Sequence, residues 1–331
     1  MPLPTPGKPG EIDDPLRRGL SGAGSPQPIG RWKGVLDATI KQPGCVELQL
    51  RVLEPLVRTP GSEDCLYLNV FTPKTNVSSG NTSPVIFWIY GGAFMEGDAT
   101  IFQSDYLLEE GLVVVTVSYS PGNAGLKDQN MALRWVKNNI EKFGGDPDRI
   151  TIGGHSAGAC SVIHHVLAPK SRGLFSRAIA MSGDTTSLWC GQKFPRKIAF
   201  DIGLSLGIET DNSTELVGRM RMEGLENLQN AFLMVIIALI TDLLYTRPIT
   251  NTVRMMCKHM PVYSYVFVYE GKRVKEYLRN QGYAIDVSIN GVCHGEDLGY
   301  IWKSVDTSLP SEDVPMRRRL VKLWSNFAEY G

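Results

Sequence analysis

The sequence has no excess of charge of either sign and no long apolar run. Its 34 basic and 34 acidic side chains cancel, which argues against a nucleic-acid partner, because such partners require strongly basic surfaces. The longest apolar run, Ala231 to Ile240, is shorter than the roughly 20 residues that span a bilayer. The first residues lack the basic and apolar segments of a signal peptide. Neither a signal peptide nor a transmembrane segment is therefore predicted, and the compartment stays open.

Cysteine is present, but not in a metal-binding pattern. None of the six cysteines has the Cys-x-x-Cys spacing of zinc sites, so no metal and no cofactor is predicted. Cys160 and Cys257 lie in helical patterns and are expected to be small buried side chains. Cys45 and Cys65, in loop-like surroundings, are the candidates for a disulfide. Three glycosylation sequons, relevant only in the secretory pathway, begin at Asn76, Asn81 and Asn212.

The order of apolar patterns along the chain predicts an α/β fold. Residues 1–28 are rich in Pro, Gly and Ser and are expected to form an irregular leader. Strands and helices then alternate, which indicates a mostly parallel sheet with helices on both faces. The run from Ala231 to Ile240 is expected to be a buried helix. Strands are predicted over 66–71, 85–90, 112–119, 149–153, 177–181 and 262–269, and helices over 124–143, 157–166 and 316–330.

Ser156 is the candidate nucleophile. It lies in Gly154-His155-Ser156-Ala157-Gly158, between a predicted strand and a predicted helix. This is the sequence form of a nucleophile elbow, a turn so tight that the residues two before and two after the serine must lack side chains. Such a turn holds a serine hydroxyl above the end of a sheet, where a base can reach it.

A base and an oxyanion hole can be sought around this serine. Of the five histidines, His294 lies in a glycine-bounded loop late in the chain, where a hydrolase with this order of strands places its base. His155 is expected to point away from the nucleophile, and His164, His165 and His259 are expected to be structural or exposed. Small residues after the predicted strand 85–90, Gly91 to Ala93, allow backbone N–H groups to approach an oxyanion, and the Ala157 N–H is expected to complete the set.

Several blocks of sequence resemble the type-B carboxylesterases, the cholinesterase-like family. Phe143 to Pro147, followed by a strand and the elbow, resembles that family's active-serine signature, and Glu63 to Val70 resembles its second signature. Further similar blocks are Gly122 to Gln129, Gly173 to Phe175, Met181 to Gly183 and Leu323 to Ala328.

The resemblance implies a fold, a reaction and a set of residues. It implies an α/β-hydrolase domain over 29–331 that hydrolyses a carboxylic ester through an acyl-enzyme. The apolar strands and the aromatic residues Tyr90 and Phe94 near the oxyanion loop favour an uncharged, hydrophobic ester. Ser156 is then the nucleophile, His294 the base, and the oxyanion donors are Gly92, Ala93 and Ala157. It pairs Cys45 with Cys65, and the family is usually secreted or enters the secretory pathway. The implied partner is a small-molecule ester.

The chain also departs from that family's pattern. The resemblance is interrupted near 120/121 and 230/231, so part of the sheet and of the pocket is expected to be missing. The glutamate that completes the family's triad has no match. Asp242 and the Glu223-Gly224 dipeptide are weak substitutes, and Glu296 and Asp297 match acidic positions without a triad role. Two alternatives therefore stay open: a non-catalytic cholinesterase-like binding or adhesion protein, and an inactive splice product.

Overall fold

The computed structural model describes residues 26, 34, 37–40, 42–45, 61–62, 64–73, 82–94, 97–120, 122–187, 190–191, 195–220, 222, 246–271, 292, 295–303 and 309–331. The fold divides into two compact units, one of Met1–Gly183 with Pro261–Gly331 and one of Asp184–Met260. This division does not test the expected single domain over 29–331, which stays a prediction. The run from Ala231 to Ile240 lies outside the described residues. Among the helices that are described, none has the length and apolar character needed to cross a membrane.

A five-stranded, mostly parallel sheet forms the centre of the larger unit. Its spatial order is β1-β3-β2-β4-β5, with β1 antiparallel to β3 and the other neighbours parallel. Every residue of β2 is buried, as expected of a central parallel strand covered on both faces. These five strands were predicted, with small differences at their ends. They are β1 Leu68–Phe71, β2 Ser83–Ile89, β3 Val113–Val117, β4 Gly145–His155 and β5 Arg177–Met181.

Helices cover both faces of this sheet. A Cβ on Gly153 would lie 3.7 Å from Trp324 of α8, whereas a Cβ on the next residue, Gly154, would lie 2.5 Å from Gly158 of α3. Because successive strand residues point to opposite faces, α8 and α3 lie on opposite sides of β4. The helices of this unit are α1 Asp105–Glu109, α2 Gly122–Asn139, α3 Ala157–Leu167, α7 Leu298–Ile301 and α8 Val314–Tyr330.

The core beside α8 is built on tryptophan. Trp88 of β2 is fully buried, and its ring lies 4.9 Å from that of Trp302 and 5.8 Å from that of Trp324. Phe102 completes the cluster at 5.6 Å from Trp88. Large aromatic side chains of this kind contribute more buried apolar area than any others, so they hold α8 against the sheet.

The smaller unit contains three described helices, α4 Pro195–Ser205, α5 Ser213–Met220 and α6 Thr246–Met256. Gly203 of α4 lies close to α5, since a Cβ at this glycine would come within 2.3 Å of Leu216. Leu216 is buried in this contact. A glycine on α4 therefore makes room for the apolar side of α5.

The strand predicted over 262–269 is wrong, because residues 261–271 are irregular. Alternate side chains of this segment nevertheless point to opposite sides: Phe267 and Tyr269 pack on Tyr300, at ring distances of 5.7 Å each. Val266 and Val268 face outward and are 81% and 75% exposed. A strand needs a neighbouring backbone that accepts and donates its hydrogen bonds, and none of the described strands pairs with this segment.

Candidate active site

Ser156 lies at the tip of a tight turn between β4 and α3. Its backbone has φ 55° and ψ −118°, a conformation that a residue with a side chain adopts only when its surroundings impose it. Its N–H donates to the Met181 carbonyl at 2.8 Å, and its own carbonyl accepts from the Cys160 N–H at 3.0 Å. The backbone of the serine is thus held both by the end of β5 and by the first turn of α3, and its side chain is half-buried.

The two glycines predicted to flank the turn have no room for a side chain. A Cβ on Gly158 would lie 2.0 Å from the Ile89 carbonyl oxygen, and a Cβ on Gly154 would lie 2.8 Å from the same oxygen. Both distances are shorter than real Cβ contacts, so the backbone of β2 passes directly against the elbow. The steric requirement that the sequence predicted at these two positions is present in the structure.

Two further glycines close on the elbow, and sequence reasoning had not assigned them this role. A Cβ on Gly91 would lie 2.6 Å from the His155 carbonyl oxygen, and a Cβ on Gly183 would lie 2.1 Å from the Ser156 carbonyl oxygen. Each follows the end of a parallel strand that neighbours β4. The only local signal is a glycine two residues after each strand, in Ile89-Tyr90-Gly91 and in Met181-Ser182-Gly183, and this signal does not show what the missing side chain makes room for.

The predicted oxyanion loop lies at the same edge of the sheet as the serine. Ile89, the last residue of β2, pairs with Gly154 in parallel register, and the carboxyl ends of parallel strands form the usual ligand-binding edge of an open sheet. The loop then takes positive φ at three consecutive residues, Gly92 at 127°, Ala93 at 54° and Phe94 at 61°. Two of these carry side chains, so the loop is strained in the way that functional loops often are.

Two tyrosines fix the start of this loop. The Tyr119 hydroxyl donates to the Tyr90 carbonyl at 2.6 Å, and the two rings stack with their centroids 4.4 Å apart. A Cβ on Gly97 would lie 2.1 Å from the Tyr90 ring, so the far end of the loop also rests on this pair. Both tyrosines are buried and hold the start of the loop in place.

Ala157, the third predicted oxyanion donor, is the first residue of α3. The first N–H groups of a helix have no partner within the helix, and the helix dipole places partial positive charge there. Ala157 itself is fully buried. Its N–H is therefore the type of hydrogen-bond donor that binds anions at the N-terminus of a helix.

The predicted base, His294, lies outside the described residues, as do Asp242, Glu223 and Gly224. Its chain neighbour Gly295 is described and has φ 81°. A Cβ on Gly295 would lie 3.1 Å from Cε1 of His155. Gly295 therefore lies against the side chain of His155, the residue that precedes the nucleophile.

The acidic residues that follow this loop are buried. Glu296 and Asp297 are 4% and 5% exposed. Asp297 accepts a hydrogen bond from the Tyr265 hydroxyl at 3.1 Å. Burial raises the pKa of the Asp297 carboxyl, which the Tyr265 hydrogen bond opposes. The Asp297 carboxylate therefore already has a hydrogen-bond partner in the Tyr265 hydroxyl.

The cysteines differ in part from what the sequence predicted. A disulfide joins Cys45 to Cys65. Cys160 is buried as expected, but it is disulfide-bonded rather than a free thiol, and so is Cys190. The expectation for Cys257 is wrong, because its thiol is free and exposed. Cys257 directly follows the last residue of α6. Beyond the end of a helix, helical spacing no longer predicts which side chains are buried.

Comparison with known proteins identifies the family of this chain. The sequence profile of the Carboxylesterase family matches residues 24–237 and 229–331. Venom carboxylesterase-6 of Apis mellifera is 39% identical over 206 residues, which are 58% of this chain and 37% of that protein. Bile salt-activated lipase of Rattus norvegicus is 38% identical over 221 residues, which are 60% of this chain and 36% of that protein. These matches span only a little over a third of each relative's length.

The fold has a counterpart among solved structures. Juvenile hormone esterase from Manduca sexta, with OTFP covalently attached, superposes with a TM-score of 0.73. The match covers 92% of this chain and 82% of that one, at 20% sequence identity. The chain has the α/β-hydrolase fold and belongs to the carboxylesterase family.

Proposed function

We propose that this chain hydrolyses carboxylic esters through Ser156. The observation that carries the proposal is the backbone of Ser156, whose φ of 55° holds a half-buried serine at the tip of the β4–α3 turn. Backbone strain of this kind costs on the order of 1–3 kcal/mol and persists only where the surroundings impose it. Four glycines provide those surroundings, which supports a built nucleophile elbow rather than a chance sequence match.

The proposed reaction assigns one step to each residue. Ser156 Oγ attacks the ester carbonyl carbon while its proton passes to His294. The carbonyl oxygen becomes an oxyanion that accepts from the N–H groups of Gly92, Ala93 and Ala157. The tetrahedral intermediate then loses the alcohol, which takes the proton from His294, and an acyl-Ser156 ester remains. Water, deprotonated by His294, attacks this ester. The bond from the acyl carbon to Ser156 Oγ then breaks, Oγ takes the proton back from His294, and the carboxylic acid is released.

The oxyanion donors are expected to account for much of the rate acceleration. Removing one such donor typically costs about 10²–10³ in turnover. Here two strained residues, Ala93 and Phe94, fix the loop donors, and the start of α3 fixes the third donor. Little reorganisation of these N–H groups is therefore needed when negative charge develops on the carbonyl oxygen. This rigidity supports Gly92, Ala93 and Ala157 as the proposed set.

A chain without the triad acid should be slow rather than inert. Loss of the acid costs about 10⁴ in turnover in a comparable triad, because the imidazole is no longer held in the correct tautomer. Asp297, which follows His294 closely in the chain, accepts from Tyr265 and is not proposed as a replacement. We therefore expect acylation to be detectable and steady turnover to be low.

The substrate class follows from the loop beside the serine. Phe94 is half-buried and has φ 61° in the loop that carries two of the proposed donors. Tyr90, the other aromatic residue near that loop, is buried against Tyr119. Phe94 is therefore the aromatic residue that favours an uncharged, hydrophobic ester.

The test is a burst experiment with a chromogenic short-chain ester. The wild-type chain should release one equivalent of chromophore ahead of a slower steady rate, and Ser156→Ala should release none. An organophosphate should label the peptide that contains Ser156, as detected by mass spectrometry. Ser176→Ala is the matched control, because Ser176 is an exposed serine whose hydroxyl donates to the Ile150 carbonyl at the opposite edge of the sheet. If neither a burst nor a label is found, the esterase proposal fails and a non-catalytic role takes its place.

A further inference from the structure

Four buried polar side chains form a cluster behind the elbow that the proposed reaction does not use. Gln129 comes from α2, Ser161 and His165 from α3, and Ser171 from the 3₁₀ turn Pro169–Ser171. Their exposed fractions are 0%, 0%, 3% and 1%. Burying four such groups costs free energy unless each finds a hydrogen-bond partner, so their arrangement must be specific.

The hydrogen bonds of this cluster form one continuous chain. His165 Nε2 lies 3.1 Å from Gln129 Oε1, and His165 Nδ1 lies 2.9 Å from Ser171 Oγ. Gln129 Nε2 donates to Ser161 Oγ at 3.3 Å. Asn130 Nδ2 donates to Ser171 Oγ at 2.9 Å. We call the four side chains Gln129, Ser161, His165 and Ser171 the buried relay.

The donors and acceptors set the direction of the relay. An amide oxygen can only accept, so with Gln129 in this orientation His165 must carry its proton on Nε2. Nδ1 of His165 then accepts from the Ser171 hydroxyl. All donors in the relay point toward Ser161, and hydrogen bonds aligned in this way strengthen one another.

The relay ends beside the nucleophile. The Ser161 hydroxyl donates to the Ala157 carbonyl at 3.1 Å, and Ala157 is the residue directly after Ser156. The relay therefore ties the first turn of α3 to α2 and to the turn that follows α3. The first turn of α3 is the turn that presents the Ala157 N–H.

We propose that the buried relay positions the first turn of α3 so that the Ala157 N–H can stabilise the oxyanion. This inference rests on the proposed esterase function. Its physical basis is that an oxyanion donor acts only when it lies about 2.7–3.1 Å from the developing charge. The relay side chains touch no reacting atom, so Gln129, Ser161, His165 and Ser171 are positioning residues.

The charge state of the relay is consistent with this role. Burial lowers the pKa of His165 to about 4, with a smaller contribution from His164 on the same helix. The other titratable groups of the elements that pack here are Lys127, Asp128, Arg134 and Lys137 of α2 and Lys170 of the 3₁₀ turn. A neutral His165 keeps Nδ1 as an acceptor at neutral pH.

The test replaces the last link of the relay. Ser161→Ala should lower the single-turnover acylation rate constant about fivefold, the equivalent of one neutral hydrogen bond, and leave KM unchanged. Ser161→Thr keeps the hydroxyl and should restore the rate, even if its extra methyl lowers the melting temperature. Ser325→Ala is the control, because Ser325 is a buried serine in α8 on the other face of the sheet. Equal rates in Ser161→Ala and Ser325→Ala, or failure of threonine to restore the rate, would overturn the positioning role.

A second measurement separates this inference from the esterase proposal. Nitrogen NMR of the wild-type chain should show His165 protonated on Nε2 and bare on Nδ1, whether or not the chain is active. A proton on Nδ1 overturns the relay. If the wild-type chain forms no acyl-enzyme, the proposed function fails, and the relay is decided by this tautomer together with faster exchange of the residue-161 amide in the Ser161→Ala and Gln129→Met variants.

Discussion

The stability of the larger unit should depend on pH through one buried histidine. Burial lowers the pKa of His165 from about 6.5 to about 4. Between these two values the unfolded chain binds a proton that the folded chain does not bind, so stability rises with pH. The contribution of His165 is fully present above pH 6.5 and is lost as the pH falls through 4. A difference of about 2.5 pKa units, at about 1.4 kcal/mol per unit, corresponds to roughly 3 kcal/mol.

The assay compares the wild-type chain with His165→Gln, whose amide can hydrogen-bond to the same neighbours but does not titrate. Urea unfolding can be followed by the fluorescence of Trp88, Trp302 and Trp324, which lie together in the core. From pH 7 to pH 4 the wild-type chain should lose about 3 kcal/mol more unfolding free energy than the variant. His259→Gln, which removes an exposed imidazole, controls for the loss of a histidine as such.

Parallel pH curves for the wild-type chain and His165→Gln would refute this reasoning. If the variant does not fold, the NMR titration of His165 in the wild-type chain decides the question. An apparent pKa near 6.5 would show that the folded protein does not disfavour the imidazolium. A value near 4 would support the burial argument directly.

Three further predictions concern the elbow, the loop and the disulfide. Gly158→Ala should abolish the burst and destabilise the fold by several kcal/mol, since its Cβ would lie 2.0 Å from a carbonyl oxygen. Gly218→Ala, at a helical glycine with open space around it, should be neutral or slightly stabilising by urea unfolding. Tyr119→Phe removes the 2.6 Å hydrogen bond to Tyr90 and should lower kcat about fivefold with KM unchanged; an unchanged kcat would contradict the role of this bond. Cys65→Ser opens a disulfide between residues 20 apart and should lower the unfolding free energy by about 3 kcal/mol, and a melt identical to wild type would argue against it.

Sequence reasoning predicted best where the constraint is local. The continuous apolar residues of β2 and β3 and the helical spacing in α2 each require one kind of element, and those elements formed. The segment 262–269 shows the limit of such reasoning. Phe267 and Tyr269 do face the core, but a strand also needs a partner backbone, and the apolar residues of the segment do not show whether one is in reach.

The candidate site divides in the same way. Ser156, Gly154 and Gly158 are recognisable because the geometry of one tight turn dictates residue types at neighbouring positions. The contacts of Gly91 and Gly183 with the same turn join separate strands. No spacing along the chain could indicate that their missing side chains make room for the backbone of His155 and Ser156.

By itself, the sequence determined where a nucleophile elbow forms, because the sterics of a strand–serine–helix turn act within five residues. Only the tertiary structure decided what holds that elbow. The packing of β2 and β5 against β4 brings Gly91 and Gly183 against the elbow. The packing of α2 against α3 buries His165 and determines which of its ring nitrogens carries the proton. These effects depend on desolvation and on backbone approach between segments far apart in the chain, which a pattern of neighbouring residues does not encode.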